Sequence, residues 1–272
     1  MLRPAGDGCR VRWCFAFVVG FACWSIAAAG WSVELDALSA DERLVLEGAL
    51  RTLQPLIEQR KVGGTVNLLR FDELFAPVAD EQRALFDAIR AVEPSSLGGS
   101  SRRQPAPPAD LQLERINGQI VYPPTGDPKP LDDQYLPTDV YAAYQSMMAA
   151  MRRDLGTSLL VESGYRSLAY QLHLFCLYLP KHGYSIRETN RFVALPGCSE
   201  HGAPSRQAID FINEQGINGE DRPEEFEALP EYDWLQRHAR DYGFVLSYPR
   251  DDPSGTSFEP WHWHYEPTSH QL

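Results

Sequence analysis

The chain alternates between stretches with helical periodicity and short apolar runs bounded by turn residues. Ser39 with Glu42 three positions on forms a capping-box pattern. Leu46, Leu50, Leu53 and Ile57 then repeat at helical spacing up to Gly63-Gly64. Pro55 lies inside that repeat and predicts a kink. Thr65 to Phe71 reads as a strand, and Asp80 to Val92 as a second helix with Leu85, Ile89 and Val92 inward. Residues 94–110 are rich in Ser, Gly and Pro, the composition of a linker.

Beyond it the pattern is mixed. Thr138 caps a helix carrying Val140, Tyr144, Met147 and Met151 on one face, closed by Gly156. A strand over Thr157 to Glu162 leads to Ser163-Gly164-Tyr165-Arg166-Ser167, where Ser167 caps a helix burying Leu168, Leu172, Phe175 and Leu179. Gln207 to Ile212, Phe244 to Tyr248 and Trp261 to Tyr265 read as strands. A helix from Glu231 to Tyr242, ended by Gly243, precedes the last two. Uneven helices and long loops between strands predict an α+β fold rather than a regular parallel array.

At 272 residues the chain has material for a sizeable core. Its net charge of -12 argues against a nucleic-acid partner, which would call for a basic face. Arg3, Arg10 and Arg12 precede an uncharged run from Trp13 to Ala29, with Ala27-Ala28-Ala29-Gly30 at its end. Residues 1–30 therefore read as a signal peptide or, if uncleaved, a membrane anchor. The body is expected to be exported, periplasmic or in the cell envelope. The expected organisation is this leader, a helical N-terminal region of unknown role over 31–93, a linker over 94–110 and a catalytic domain over 111–272. Only Cys176 and Cys198 lie beyond the leader, and either a disulfide or two separate thiols fits the sequence.

The chemistry concentrates in the second half. A serine-peptidase Ser-x-x-Lys is absent, because Lys61, Lys129 and Lys181 follow Glu58, Gly126 and Tyr178 at that spacing. Of seven histidines, His173, His182, His238 and His270 read as surface or structural residues. His201 lies in a turn-rich loop before a strand whose single acid is Asp210. A carboxylate among Ala, Ile and Phe is costly unless paired or metal-bound. His201, Asp210 and His262 make a plausible His₂Asp zinc set with a fourth position left for water. Glu259, three residues before His262 and next to the backbone-bending Pro260, is the natural general base.

Ser163-Gly164-Tyr165-Arg166-Ser167, Ser199-Glu200-His201 with Ala208-Ile209-Asp210, and Glu259-Pro260-Trp261-His262 occur in this order. Tyr242-Gly243-Phe244 and Tyr248-Pro249 come before the last of them. Together they resemble the VanY-like D-alanyl-D-alanine carboxypeptidases, zinc peptidases related in fold to lysostaphin-type endopeptidases and hedgehog domains. The resemblance covers about 111–265. It implies a small, mostly antiparallel sheet flanked by helices, and one zinc ion held by His201, Asp210 and His262. It also implies that Glu259 activates water, Arg166 holds substrate and stabilises the oxyanion, and Ser199 gives polar support to the substrate or the loop. The implied substrate is a peptidoglycan stem peptide losing its terminal D-Ala. An endopeptidase or dipeptidase with the same zinc chemistry, or a non-catalytic zinc-containing wall-binding module, are the alternatives.

The chain departs from that family in two places. Eight residues separate His201 from Asp210, more than is usual, and Arg206 stands where a glycine is usual. His264 stands where arginine is more common. On a strand it would share a face with His262 and could flank the metal.

Overall fold

The computed structural model describes residues 32–98, 102–251 and 257–266. The expected leader, with Cys9, Cys14 and Cys23, and His270 lie outside the described residues. The helices are α1 (Ala40–Val62), α2 (Phe71–Phe75), α3 (Asp80–Ala91), α4 (Thr138–Leu155), α5 (Leu168–Tyr178), α6 (Ile186–Thr189), α7 (Pro223–Glu227) and α8 (Pro230–His238). The strands are β1 (Leu113–Ile116), β2 (Ile120–Val121), β3 (Lys129–Pro130), β4 (Gln134–Pro137), β5 (Leu159–Ser163), β6 (Ala208–Asn213), β7 (Phe244–Leu246) and β8 (His262–Tyr265). β1 pairs with β4 and β2 with β3, while β5-β6-β8-β7 form the main sheet. Every pairing is antiparallel, so the α+β expectation holds.

Strand alternation divides the main sheet into two faces. Val161, Ile209, Phe211, Phe244, Trp263 and Tyr265 point into a core shared with Val140, Tyr144, Met147 and Met151 of α4 and Trp234 and Leu235 of α8. Each large apolar side chain buried there contributes roughly 1.5–3 kcal/mol. Asp210, His262 and His264 occupy alternate positions and take the opposite face. That alternation sets the site against a packed, rigid support.

The helices before residue 93 do not build a core of their own. Leu46, Leu53, Leu85, Phe86 and Ile89 share one cluster with Leu172, Phe175 and Leu179 from the α5 region. The described residues fall in one compact unit. The expected linker therefore marks no break in packing. Arg103 donates to the carbonyls of Arg90, Val92 and Pro196, and Gln104 N–H donates to Gly197 O, which ties the segment down.

Several local expectations hold. The Ser39–Glu42 capping box forms at α1, Gly156 closes α4 in the left-handed conformation, and Ser167 caps α5 by accepting from Tyr170 N–H. Two do not. Thr65 to Phe71 is a short 3₁₀ turn running into α2 rather than a strand. The buried Asn67 amide donates to Asp133 O and Gln134 Oε1, and such long-range bonds outweigh a weak strand pattern. Thr138 is the first residue of α4 and Pro137 takes the cap position, while α1 continues through Pro55 to Val62. Of the two arrangements open for Cys176 and Cys198, the structure has separate buried thiols.

Candidate active site

The site begins where β5 ends in a register shift between Val161 and Ser163. The chain then turns through Gly164, where an added Cβ would lie 2.4 Å from Tyr135 O; only glycine fits without displacing backbone. Gln134 Oε1 accepts from Gly164 N–H at 3.1 Å, and Tyr135 O from Tyr165 N–H at 2.6 Å. Next along the chain, Arg166 N–H donates to His201 O at 2.9 Å. Gly164 O in turn accepts from His201 Nδ1 at 2.8 Å. That bond places the ring proton on Nδ1 and leaves the Nε2 lone pair free to ligate.

Register places the second and third residues. Asp210 of β6 lies directly across from His262 of β8. His201 Nε2 is 3.0 Å from Asp210 Oδ2, and His262 Nδ1 is 2.7 Å from Asp210 Oδ1. One potential ligand atom from each of the three residues falls within 4.8 Å of the others. Burial holds His201 down to about 4, helped by the Arg166 charge, so it is neutral and ready to bind a cation. Burial opposes charge on Asp210 too, but the two imidazoles keep its carboxyl well below the usual range. His262 is buried as well, yet Asp210 and Glu200 push it up to about 10, so in this arrangement it carries a proton where a cation would otherwise sit. The donor set of two imidazoles and a carboxylate is one that zinc accepts.

Glu259 reaches the same place through a turn. His262 N–H donates to Glu259 O at 3.2 Å, closing Glu259-Pro260-Trp261-His262, and Trp263 Nε1 donates to Pro260 O at 2.9 Å. Trp261 lies against Gly219, where any Cβ would collide with its indole. The turn brings Glu259 Oε2 to 3.9 Å from His262 Nδ1, a placement that a straight strand would forbid. Burial pushes its carboxyl up to about 7, with the His262 charge pulling the other way.

Arg166 enters from the opposite wall. Its Nη1 donates to Gln171 Oε1 at 3.2 Å, its Nη2 is 3.8 Å from Asp210 Oδ2, and its buried Nε has no partner among the described residues. Ser199 Oγ accepts from His201 N–H at 3.3 Å and so supports the loop. All six expected site residues line one cavity of about 1050 Å³.

Sequence reading missed Glu200. Its Oε2 accepts from His262 Nε2 at 3.1 Å and from the Ser247 hydroxyl at 2.6 Å. Its Oε1 accepts from Arg206 Nε at 3.0 Å and Nη2 at 2.8 Å. A carboxylate beside His201 was the available signal; its partners Ser247 and His262 are far away in the chain. The expectation that His264 could flank the metal is not met. Its Nδ1 is bound to Ser247 at 2.8 Å, and it contributes no atom to the ligand group. Elsewhere His173 is buried on α5, His182 stacks on Phe192 with centroids 4.4 Å apart, and His238 lies 4.8 Å from the Trp234 ring.

A family model described as VanY, D-alanyl-D-alanine carboxypeptidase, matches residues 133–268. The bifunctional D-Ala-D-Ala dipeptidase and D-Ala-D-Ala carboxypeptidase VanXYC of Enterococcus gallinarum is 30% identical over 139 residues, covering 49% of this chain and 68% of that protein. A D-alanyl-D-alanine carboxypeptidase of Enterococcus faecalis is 32% identical over 130 residues, covering 44% of each; the match spans less than half of that relative. Among solved structures, the LdcB LD-carboxypeptidase is 26% identical with a TM-score of 0.45, covering 63% of this chain and 73% of that one. A vancomycin-resistance D,D-pentapeptidase VanY in complex with Zn(II) is 24% identical with a TM-score of 0.42, covering 62% of this chain and 87% of that one. By the family match and the relative from Enterococcus gallinarum, the chain belongs to the VanY family of D-alanyl-D-alanine carboxypeptidases.

Proposed function

We propose that this protein is a zinc-dependent D-alanyl-D-alanine carboxypeptidase that removes the terminal D-Ala of peptidoglycan stem peptides. One observation carries the reading: the ligand atoms of His201, Asp210 and His262 converge, with Glu259 on one side and Arg166 on another. His201 Nε2, His262 Nδ1 and an Asp210 oxygen would hold one ion. Zinc bound there supplies Lewis acidity, polarising the scissile carbonyl and acidifying an attacking water.

The chain's own groups do the rest. Glu259, with a carboxyl near neutrality, takes the proton from the attacking water and returns it to the departing D-Ala nitrogen as the peptide C–N bond breaks. The Arg166 guanidinium faces the charge that develops on the carbonyl oxygen, and its unpartnered Nε is available to donate. Gln171 holds that guanidinium from behind. Ser199 keeps the His201 loop closed.

A cavity of about 1050 Å³ exceeds what a dipeptide needs and favours a peptide held along its length. A dipeptidase or endopeptidase with the same chemistry is separated by digesting defined muropeptides and identifying the products by mass. We also propose that the protein works outside the cytoplasm, delivered by residues 1–30 as leader or anchor. Release of D-alanine from a stem peptide ending in D-Ala-D-Ala, with and without chelator, tests the central reading. A zinc-loaded protein that releases none contradicts it.

A further inference from the structure

His262 lies between two carboxylates, and only one of them is among the metal's expected ligands. Nδ1 faces Asp210 at 2.7 Å, and Nε2 faces Glu200 at 3.1 Å on the far edge of the ring. An imidazole ligates through one nitrogen, and the hydrogen bond on the other decides which. Glu200 is an acceptor only, so it holds a proton on Nε2 and leaves Nδ1, on the Asp210 side, as the nitrogen that can ligate.

Glu200 is itself fixed on both oxygens. Arg206 donates twice to Oε1, and the Ser247 hydroxyl donates to Oε2 at 2.6 Å. His264 Nδ1 lies 2.8 Å from the Ser247 hydroxyl and 3.3 Å from Arg206 Nη2, so it touches both groups that hold Glu200. His264 is almost fully buried, across from Ala208 in β6 and Val245 in β7, directly behind the site. The long loop between His201 and Asp210 is what delivers Arg206. Two sequence peculiarities, the longer loop and the second histidine of β8, thus meet at one carboxylate.

We propose that Glu200, anchored by Arg206 and by Ser247 with His264 behind it, is a positioning residue that orients His262 so that Nδ1 ligates the metal. His264 is the strut of that clamp and not a fourth ligand. The inference rests on the metal site proposed above. Loss of the carboxylate frees the ring to turn and removes the partner of Nε2–H, and groups of this kind change metal affinity by about 10–100-fold.

The test measures Zn(II) affinity of the full chain by competition with a chromophoric chelator, beside the visible absorption of the Co(II)-loaded protein. Glu200→Ala is expected to weaken Zn(II) about 10–100-fold and to shift the Co(II) bands. Glu200→Gln keeps an acceptor for Nε2–H and falls between Ala and wild type. Ser247→Ala, the gentler variant, weakens binding by a smaller factor and carries the test if Glu200→Ala does not fold by circular dichroism. His264→Phe keeps one Zn(II) per chain with less than about tenfold loss; loss of the bound ion would mark it as a ligand and overturn the assignment. Wild type that binds Zn(II), with Glu200→Ala or, where that does not fold, Ser247→Ala matching its affinity and Co(II) spectrum, overturns the clamp alone. Wild type that binds no Zn(II) overturns the metal reading, and the clamp with it.

Discussion

Gly164 O accepts a hydrogen bond from His201 Nδ1 at 2.8 Å, so a glycine carbonyl in one loop sets the tautomer of a histidine in another. The same glycine lies so close to Tyr135 O that any Cβ there would have to move backbone. Gly164→Ala is therefore expected to cost about 1–3 kcal/mol of stability and to weaken Zn(II) binding together. Thermal melting and a zinc titration of the purified variant check both. A variant unchanged in both measurements would show that the loop relaxes freely.

Glu259 is held by a closed turn that leaves its carboxylate 3.9 Å from His262 Nδ1. Glu259→Gln is expected to leave one zinc per chain and to lower kcat by about 10²–10⁴-fold. Metal analysis and D-alanine release on the same preparation read the two quantities. Turnover at the wild-type rate would move the base elsewhere.

Arg166 presents a planar fork with one nitrogen on Gln171 and another unpartnered. Lysine keeps the charge but not the fork, so Arg166→Lys should lower kcat by about 10²–10³-fold, with zinc retained. Equal kcat with raised KM alone would make it a binding group with no role in the transition state.

How much of this was legible beforehand follows from which partners lie close in sequence. Asp210 stood out as the one acid in an apolar strand, and Glu259-Pro260-Trp261-His262 as a compact turn. In both cases the signal lies within a few residues. Glu200, Ser247 and His264 were not legible as a unit, because their relation depends on the β7–β8 register and on the path of a loop. The 3₁₀ turn at Val66–Leu68 was misread for the same reason. Asn67 is tied to Asp133, Gln134 and, through its carbonyl, to Ser167 N–H, beside the loop that carries Arg166. The turn between α1 and α2 thereby braces the site.

His173 supplies a pH test away from the metal. Burial, with Lys61 adding to it, holds its imidazole down to about 4, while the unfolded chain titrates near 6.5. The unfolded state binds the proton first, so stability present above pH 6.5 is lost as pH falls toward 4, by roughly 3 kcal/mol at most. The melting temperature of wild type should therefore drop more between pH 7 and 4.5 than that of His173→Phe. Parallel curves would contradict the assignment.

The most direct measurement is zinc content and D-alanine release on one preparation of wild-type protein, using a synthetic stem peptide ending in D-Ala-D-Ala. The account predicts one zinc per chain, release of D-alanine that stops on chelation, and recovery when Zn(II) is returned. Release that persists without metal, or none from the zinc-loaded protein, would contradict it.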